Sequence, residues 1–384
     1  MKLPQSIAIV SHTMLYGAAH ALRDYLLKKN VDRLLFISLP FYEQRIASIT
    51  SYKKRIIDEE ISVRRTSFGV IDYLIDALQV AWWVHKQKDK LSLFIGINPI
   101  NCIVGLFFRK IGKAKKVIFY AIDFTPKRFE NSLLNYFYHK LEIYCVVHSD
   151  ETWNVSPRIA QGREEFLNLS EKEYPQKVVP MGVWNETIKK TPFNKVKRHQ
   201  LVFLGHLLKK QGVQLVLDAI PDIIRRIPDF KFIVVGGGEY LNVLKKKTIA
   251  LHIEKYVEFM GWIEDRPTLD SMMSESACAI AIYKPEKERK YNFTYYADPT
   301  KLKDYLSAGL PIILTNVPYN AGQIQSKKCG IIVSYSKDSI ERAVTELMGN
   351  SEKLKNFRLN ALEMAKQFEW SKIFYRAFER SSLL

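Results

Sequence analysis

The run Asp298-Pro299-Thr300-Lys301-Leu302-Lys303-Asp304 sets two acids and two lysines ahead of Tyr-Leu-Ser-Ala-Gly-Leu-Pro311 and the apolar stretch Ile312–Thr315. Proline suits the first turn of a helix, which would make Asp298 its N-cap. The first-turn N–H groups of Thr300, Lys301 and Leu302 would then point out of the helix beside the Lys301 charge, an arrangement that holds phosphate. Asp304 lies one turn on and shares a helix face with Lys301. A carboxylate there suits a vicinal pair of sugar hydroxyls. An ordinary capped helix with an i,i+3 ion pair accounts for the same residues equally well.

Two glycine-bearing turns lie upstream. Val202-Phe-Leu-Gly205 ends a strand, and His206, Lys209 and Lys210 precede a helix that begins near Gly212. Cations beside a helix start can hold a diphosphate, although two lysines on a solvated loop read the same way. Val234-Val-Gly-Gly237-Gly-Glu239 ends another strand, and glycine there permits close approach of backbone to a ligand or a plain connection. In the first half, Asp123 follows the apolar run Val117–Tyr120 at the carboxyl end of a strand, where α/β sites form. It could orient or deprotonate a hydroxyl, or simply serve a turn before Pro126. Gly17 follows the first strand and would admit a ligand closely. His12 and His20 read as core or surface histidines.

Composition bounds the partners. The chain has 384 residues, 47% hydrophobic and 26% charged, ordinary for a folded protein of two domains. Its formal charge is +18. Residues 1–192 carry 28 Lys+Arg against 19 Asp+Glu, and the remainder 30 against 21, so the excess is +9 in each half. Evenly spread charge favours anionic partners in general and argues against a dedicated nucleic-acid arm. Tyr52-Lys-Lys-Arg55, Arg64-Arg65, Lys110-Ile-Gly-Lys-Ala-Lys-Lys116, Lys127-Arg128-Phe129 and Trp82-Trp83 could meet an anionic membrane surface. Cys102, Cys145, Cys278 and Cys329 are far apart, which predicts a reducing compartment without disulfides or a metal framework. The polar N-terminus does not read as a signal peptide, so a cytoplasmic location, peripheral at a membrane's inner face, is expected.

Positioning these residues requires alternating strands and helices. Ser6–Ser11, Arg33–Ser38, Leu91–Ile97, 116–120 and 151–155 read as strands, with helices over 18–29 and Ile71–Lys86. The polar segment 182–198 reads as a linker. The alternation then restarts with strands at 199–205, 231–236, 257–259, 278–281 and Ile312–Thr315, helices over Val213–Arg226 and 240–251, and a last helix over 371–380. Two doubly wound, mostly parallel α/β units with a cleft between them are predicted.

The order Gly205…Lys210-Gln-Gly212, Val235-Gly-Gly-Gly-Glu239, Phe259-Met-Gly-Trp-Ile263 and Asp298…Asp304-Tyr-Leu-Ser-Ala-Gly-Leu-Pro311 resembles the donor domain of group 1 (family four) retaining glycosyltransferases. Gly17, Val155-Ser156, Val179-Pro-Met-Gly-Val183 and Phe368-Glu-Trp-Ser371 extend the likeness along nearly the whole chain. The resemblance implies the GT-B fold, two Rossmann-like domains whose parallel sheets face each other across a cleft. It implies an acceptor domain over 1–184, a linker over 185–198, a donor domain over 199–370 and a terminal helix over 371–384 crossing back to the first domain.

The implied activity is sugar transfer from a nucleotide sugar to a glycan or lipid-linked acceptor, with retention and without a metal, since no Asp-x-Asp occurs. Implied donor-binding residues are Gly17, Gly205, Lys209, Gly237, Glu239, Asp298, Thr300, Lys301, Leu302 and Asp304, with Asp304 on the ribose. Asp123, Lys210 and His206 are the catalytic candidates. No cofactor and no nucleic-acid partner are expected. The chain departs from the family pattern in three respects: His206 and Gln211 stand where an arginine and lysine pair is usual, the family's first acid falls on Tyr296 with Asp298 as a displaced stand-in, and Ile122-Asp123-Phe-Thr-Pro126 stands where a histidine is usual. Alternative readings are a GT-B protein that binds donor without transfer, a nucleic-acid-binding protein and a GT-B epimerase.

Overall fold

A computed structural model describes residues 3–12, 16–40, 46–64, 71–188, 190–286 and 292–381. Arg65 of the basic segments and residues 382–384 of the terminal helix lie outside the described residues. The chain divides into two compact units: residues 1–181 with 296–298 and 370–384, and residues 182–295 with 299–369.

In the first unit, eight strands form one sheet in the order β4-β3-β2-β1-β5-β6-β7-β8. They are β1 (Ser6–Ser11), β2 (Arg33–Ser38), β3 (Ile46–Lys53), β4 (Ile56–Arg64), β5 (Leu91–Ile97), β6 (Ala114–Ala121), β7 (Glu151–Asn154) and β8 (Gln176–Val178). The central strands are parallel and nearly all apolar, as expected of strands buried on both faces. β3 and β4 instead form an antiparallel hairpin on the edge. Its turn residues, Lys54 and Arg55, both have positive φ (46° and 73°). The Arg55 guanidinium donates to Leu27 O and Lys28 O (2.8 and 2.7 Å) at the end of the first helix, where a cation suits the orphan carbonyls. One of the basic residues expected at a membrane is therefore spent as a helix cap.

The helices of this unit are α1 (Ala18–Lys28), α2 (Ile71–Lys86), α3 (Pro99–Lys110), α4 (Ser132–His148) and α5 (Pro157–Leu167). α3 and α4 carry the chain from β5 to β6 and from β6 to β7. Two successive right-handed crossovers in one direction place both helices on the same face of the sheet, and they pack against each other.

The second unit holds a six-stranded parallel sheet in the order β11-β10-β9-β12-β13-β14. Its strands are β9 (Lys197–Leu204), β10 (Lys231–Val235), β11 (Val257–Gly261), β12 (Ser276–Ala281), β13 (Ile312–Thr315) and β14 (Gly330–Val333). The order reverses between β9 and β12, so the carboxyl ends of these strands form the switch point where α/β ligands sit. Its helices are α6 (Val213–Arg226), α7 (Leu241–Ala250) and α8 (Arg266–Glu275). After α9 (Phe293–Tyr296), which leads into residues 296–298, come α10 (Thr300–Ser307), α11 (Ala321–Ser326), α12 (Lys337–Met348) and α13 (Ser351–Ala365). One core cluster packs α6 and α12 on the sheet, and a second packs α10 and α13. The segment 182–198, read above as a linker, holds two 3-10 turns and the start of β9 and belongs to this unit.

The last helix, α14 (Trp370–Glu379), is part of the first unit. Its Phe374 lies 5.5 Å from the Tyr25 ring and its Phe378 5.3 Å from Trp153, with all four side chains buried.

Candidate functional site

At the carboxyl edge of the second sheet, two glycine turns lace into one another. Gly205 N donates to Val235 O (3.0 Å), Leu207 N to Gly237 O (2.8 Å) and Gly236 N to Gly261 O (2.7 Å). Gly205, Gly236 and Gly238 have φ of 137°, 128° and 149°, where only glycine is at ease. A Cβ on Gly236 would meet Gly205 O at 2.0 Å, and one on Gly237 would meet Trp262 Nε1 at 2.6 Å. These glycines let the two turns approach each other, a packing reason that stands whether or not a ligand binds. His206, Lys209, Lys210 and Glu239 are exposed around this edge. The His206 ring centroid lies 6.1 Å from that of Trp262.

α10 brings its first turn to the same edge. The Lys301 Nζ donates to Gln211 Oε1 (2.7 Å) and sits over the rings of Phe203 (4.5 Å) and Tyr283 (4.9 Å). A Cβ on Gly205 would stand 3.5 Å from it. Burial pushes the Lys301 ammonium down to about 7, because ring faces and one amide oxygen replace its water. Thr300 is exposed at the first turn, whereas the Leu302 side chain is in the core and its N–H donates to Pro299 O (3.2 Å). The Tyr305 hydroxyl accepts from Leu204 N (2.7 Å) and ties the helix to the end of β9. Lys303 is buried over the rings of Tyr319 and Phe368, and burial holds it well below the usual lysine range.

Asp304 faces a partner that sequence reasoning missed. Its Oδ1 accepts from Arg266 Nη2 at 2.7 Å, and Arg266 Nε lies 2.7 Å from Asp270. Burial opposes the Arg266 charge, yet the two carboxylates outweigh it and hold the guanidinium above its ordinary value. Lys301 and Asp304 therefore serve different partners, and the i,i+3 pair read from the sequence is not formed. No signal near residue 304 names an arginine on α8; only the fold brings them together.

Asp298 requires a correction as well. It is not the N-cap of α10; Pro299 occupies that position without a side-chain cap. The Asp298 carboxylate, buried in the first unit, accepts from Met181 N (2.8 Å). The preceding-proline geometry places the residue before Pro299 in extended backbone, and its side chain is drawn to the 179–181 segment instead.

In the first unit, Asp123 follows β6 and accepts from Arg128 Nη2 (3.1 Å), whose guanidinium lies 4.7 Å from the Tyr138 ring centroid. Asn135 of α4 clamps the loop between them: its Oδ1 accepts from Arg128 N (2.8 Å) and Phe129 N (3.3 Å), and its Nδ2 donates to Pro126 O (2.9 Å). Asp123 is thus a held, partly exposed carboxylate at a sheet's carboxyl end. Gly17 caps α1 with φ −160° and ψ −159°, an extended conformation open to any residue.

His12 belongs to a buried polar cluster at the ends of β1 and β5. Its Nδ1 accepts from the amides of Asn98 (2.8 Å) and Asn101 (3.0 Å), so its Nε2 carries the proton and donates to Asp76 (2.8 Å). Asn98 sits at φ 77°, ψ 162°, a strained conformation for a side-chain-bearing residue. A second network joins Glu142 to Arg163 (3.0 Å) and His139 (3.1 Å), and Arg163 to Asn154 (2.8 Å) and Gln176 (2.6 Å), all buried.

Residues 185–364 match the family model described as Glycosyl transferases group 1. The chain is 27% identical over 153 residues to a GDP-mannose-dependent alpha-(1-6)-phosphatidylinositol monomannoside mannosyltransferase of Mycobacterium tuberculosis, covering 40% of this chain and 39% of that relative. The match spans less than half the length of that relative. The chain is 21% identical over 324 residues to an uncharacterized glycosyltransferase of Methanocaldococcus jannaschii, covering 84% and 83% of the two chains. Among solved structures, Anabaena HepE in complex with UDP superimposes with a TM-score of 0.72 at 15% identity, covering 99% of this chain and 100% of that one. Residues 185–364, nearly all of the second unit, are similar to the group 1 glycosyltransferases, in a chain with the two Rossmann-like units of the GT-B fold.

Proposed function

We propose that the chain moves a hexose from a nucleoside-diphosphate sugar to a hydroxyl acceptor. The observation that carries this reading is the Lys301 ammonium held beside Gly205 at the first turn of α10, with the Asp304 carboxylate one turn on, all within the matched segment. In this reading the diphosphate lies on Lys301 and the first-turn N–H groups, with Gly205 and Gly237 close behind it. Departure of a nucleoside diphosphate needs positive charge and oriented dipoles at the leaving oxygens. Lys301 supplies the charge that Gln211 lacks, and Lys209, Lys210 and His206 stand on the adjoining edge. Asp304, aligned by Arg266, takes the ribose hydroxyls, and Glu239 lies near the sugar. Asp123, positioned by Arg128 and Asn135, orients the acceptor hydroxyl in the first unit. Retention and independence from a metal are part of the proposal.

The names of related proteins support a donor of this class: HepE was solved with UDP, and the mycobacterial relative is GDP-mannose-dependent. The test is nucleotide release from a panel of UDP-, GDP- and ADP-sugars with a cell-envelope extract as acceptor source. One donor should give release that Asp304→Ala and Lys301→Met each abolish. No release with any donor, or release indifferent to both substitutions, rejects the reading. The exposed His206 and the uncharged Gln211 favour one alternative, binding without transfer. A donor that raises the melting temperature with no nucleotide released would select it.

A further inference from the structure

A helix lying on a sheet ordinarily buries one stripe and turns a polar stripe to water. α4 does not. Its solvent side carries Leu133 (64% exposed), Phe137 (56%), Leu141 and Tyr144, with Lys140 and His148. Its single acid, Glu142, points inward to Arg163 and His139. α3, packed beside it, has no acid at all and exposes Phe107 (55%) and Lys110. Between the two helices runs a groove of about 710 Å³ lined by Ile103, Leu106, Phe107, Phe137, Leu141 and Tyr144. An exposed apolar surface of this kind marks a contact with something apolar.

The charges say what that something is. Lys140 Nζ lies 5.4 Å from the Tyr136 ring centroid, a cation and an aromatic ring paired as at a membrane interface. α2 repeats the pattern, with Leu74, Leu78 and Trp82 exposed at four-residue intervals and Lys86 over the rings of Trp82 and Trp83. The acids flanking α4 are already engaged, Asp150 by Arg109 (2.7 Å) and Lys116 (3.0 Å) and Glu130 by Lys127 (2.6 Å). A second copy of this chain docked face to face would set Lys110 and Lys140 against their own kind with no exposed acid on α3 or α4 to answer them. A sheet of anionic lipid answers both features, apolar acyl chains under negative headgroups.

We infer that the outer face of α3 and α4 docks the first unit on an anionic lipid bilayer. Among the described residues no helix is long and apolar enough to cross a membrane, so the contact is peripheral. This surface takes in Lys110, one of the basic residues the sequence offered, and leaves out the Tyr52–Arg55 stretch, and the inference does not depend on sugar transfer.

The experiment is co-sedimentation of the full chain with vesicles of phosphatidylcholine alone or of equal parts phosphatidylcholine and phosphatidylglycerol, at low and high salt. The chain should pellet with the anionic vesicles at low salt and stay soluble with phosphatidylcholine alone. The double variant Phe107→Ser/Phe137→Ser should lower the apparent affinity about tenfold or more, with the melting temperature unchanged because both side chains are more than half exposed. Lys110→Glu/Lys140→Glu should do the same and keeps the test intact should the serine pair destabilise the fold. Lys53→Glu/Lys54→Glu, on the β3–β4 turn, should leave binding unchanged. A wild-type chain that stays in the supernatant overturns the inference, as does binding that survives the α3–α4 substitutions or falls only with the β3–β4 pair. Elution as a dimer that the phenylalanine pair converts to a monomer, with no vesicle binding, assigns the face to self-association and overturns it too.

Discussion

Lys301 is the residue whose chemistry the structure sharpens most. Its type and helical position were legible in the sequence; its neighbours were not, because Phe203, Tyr283 and Gln211 arrive from three other segments. Enclosed by them, the free ammonium titrates near pH 7. A bound diphosphate favours the charged form, so the complex titrates higher than the free protein. Below pH 7 the lysine is already protonated and adds no further pH dependence of its own. Above it, each binding event must take up a proton, and affinity for UDP or GDP falls by up to about tenfold per pH unit. Calorimetry from pH 6 to 9 should show this slope for the wild type. Lys301→Met should flatten it and weaken binding, and Lys301→Arg, which stays charged, should flatten it while preserving binding. A wild-type affinity constant across that range contradicts the assignment. Asp304 tells a complementary story. Asp304→Ala leaves the Arg266 charge without one of its two carboxylates and should destabilise the second unit by about 1–2 kcal/mol, less than a fully buried pair because Arg266 is half exposed. Asp304→Asn, which still offers Arg266 an oxygen, should recover most of that stability without recovering donor binding, and paired thermal melts and binding isotherms check it.

Among the elements, the parallel strands were legible because strands buried on both faces read as continuous apolar runs. The β3–β4 hairpin was not. Its turn places Lys54 and Arg55 at positive φ without the Asn or Gly that announces such a turn, and β4 is exposed along nearly its whole length, so no alternation marks it. The buried Glu142–Arg163 network was equally hidden, since helical charges usually read as a solvated face. Burial alone would raise Glu142, but Arg163 and His139 more than offset it and hold the carboxyl below its usual range. Its contribution is therefore complete above the ordinary glutamate value and is lost as pH falls through the lower folded value. Arg163→Met should cost about 3–5 kcal/mol by leaving Glu142 buried with His139 alone to answer it, measured as the fall in the first unit's unfolding midpoint, and the loss should shrink in acid as Glu142 protonates. The interlocked glycine turns are as demanding. Gly236→Ala forces a Cβ within 2.0 Å of Gly205 O at a φ of 128° and should cost roughly 2–4 kcal/mol in the second unit.

For the molecule as a whole, the two units do not follow the chain in simple succession. α14 contributes Trp370, Phe374 and Phe378, each no more than 2% exposed, to the first unit. Burying an aromatic side chain of this size is worth about 1.5–3 kcal/mol. Ending the chain after Glu369 should therefore lower or abolish the first unit's transition in scanning calorimetry while leaving that of the second unit nearly in place. Equal loss from both transitions would show that the helix supports more than its own unit.

The terminal helix also bears on how the protein is born. Translation ordinarily lets N-terminal domains fold first, at some 5–20 residues added per second. Here the first unit cannot be completed until the ribosome has made the whole of the second. For that interval the apolar seat at Tyr25 and Trp153 stays uncovered on a nascent chain, while the unit made later has every strand it needs. The order of maturation is inverted relative to the order of synthesis, and the waiting half is the natural client of any chaperone that attends the emerging polypeptide.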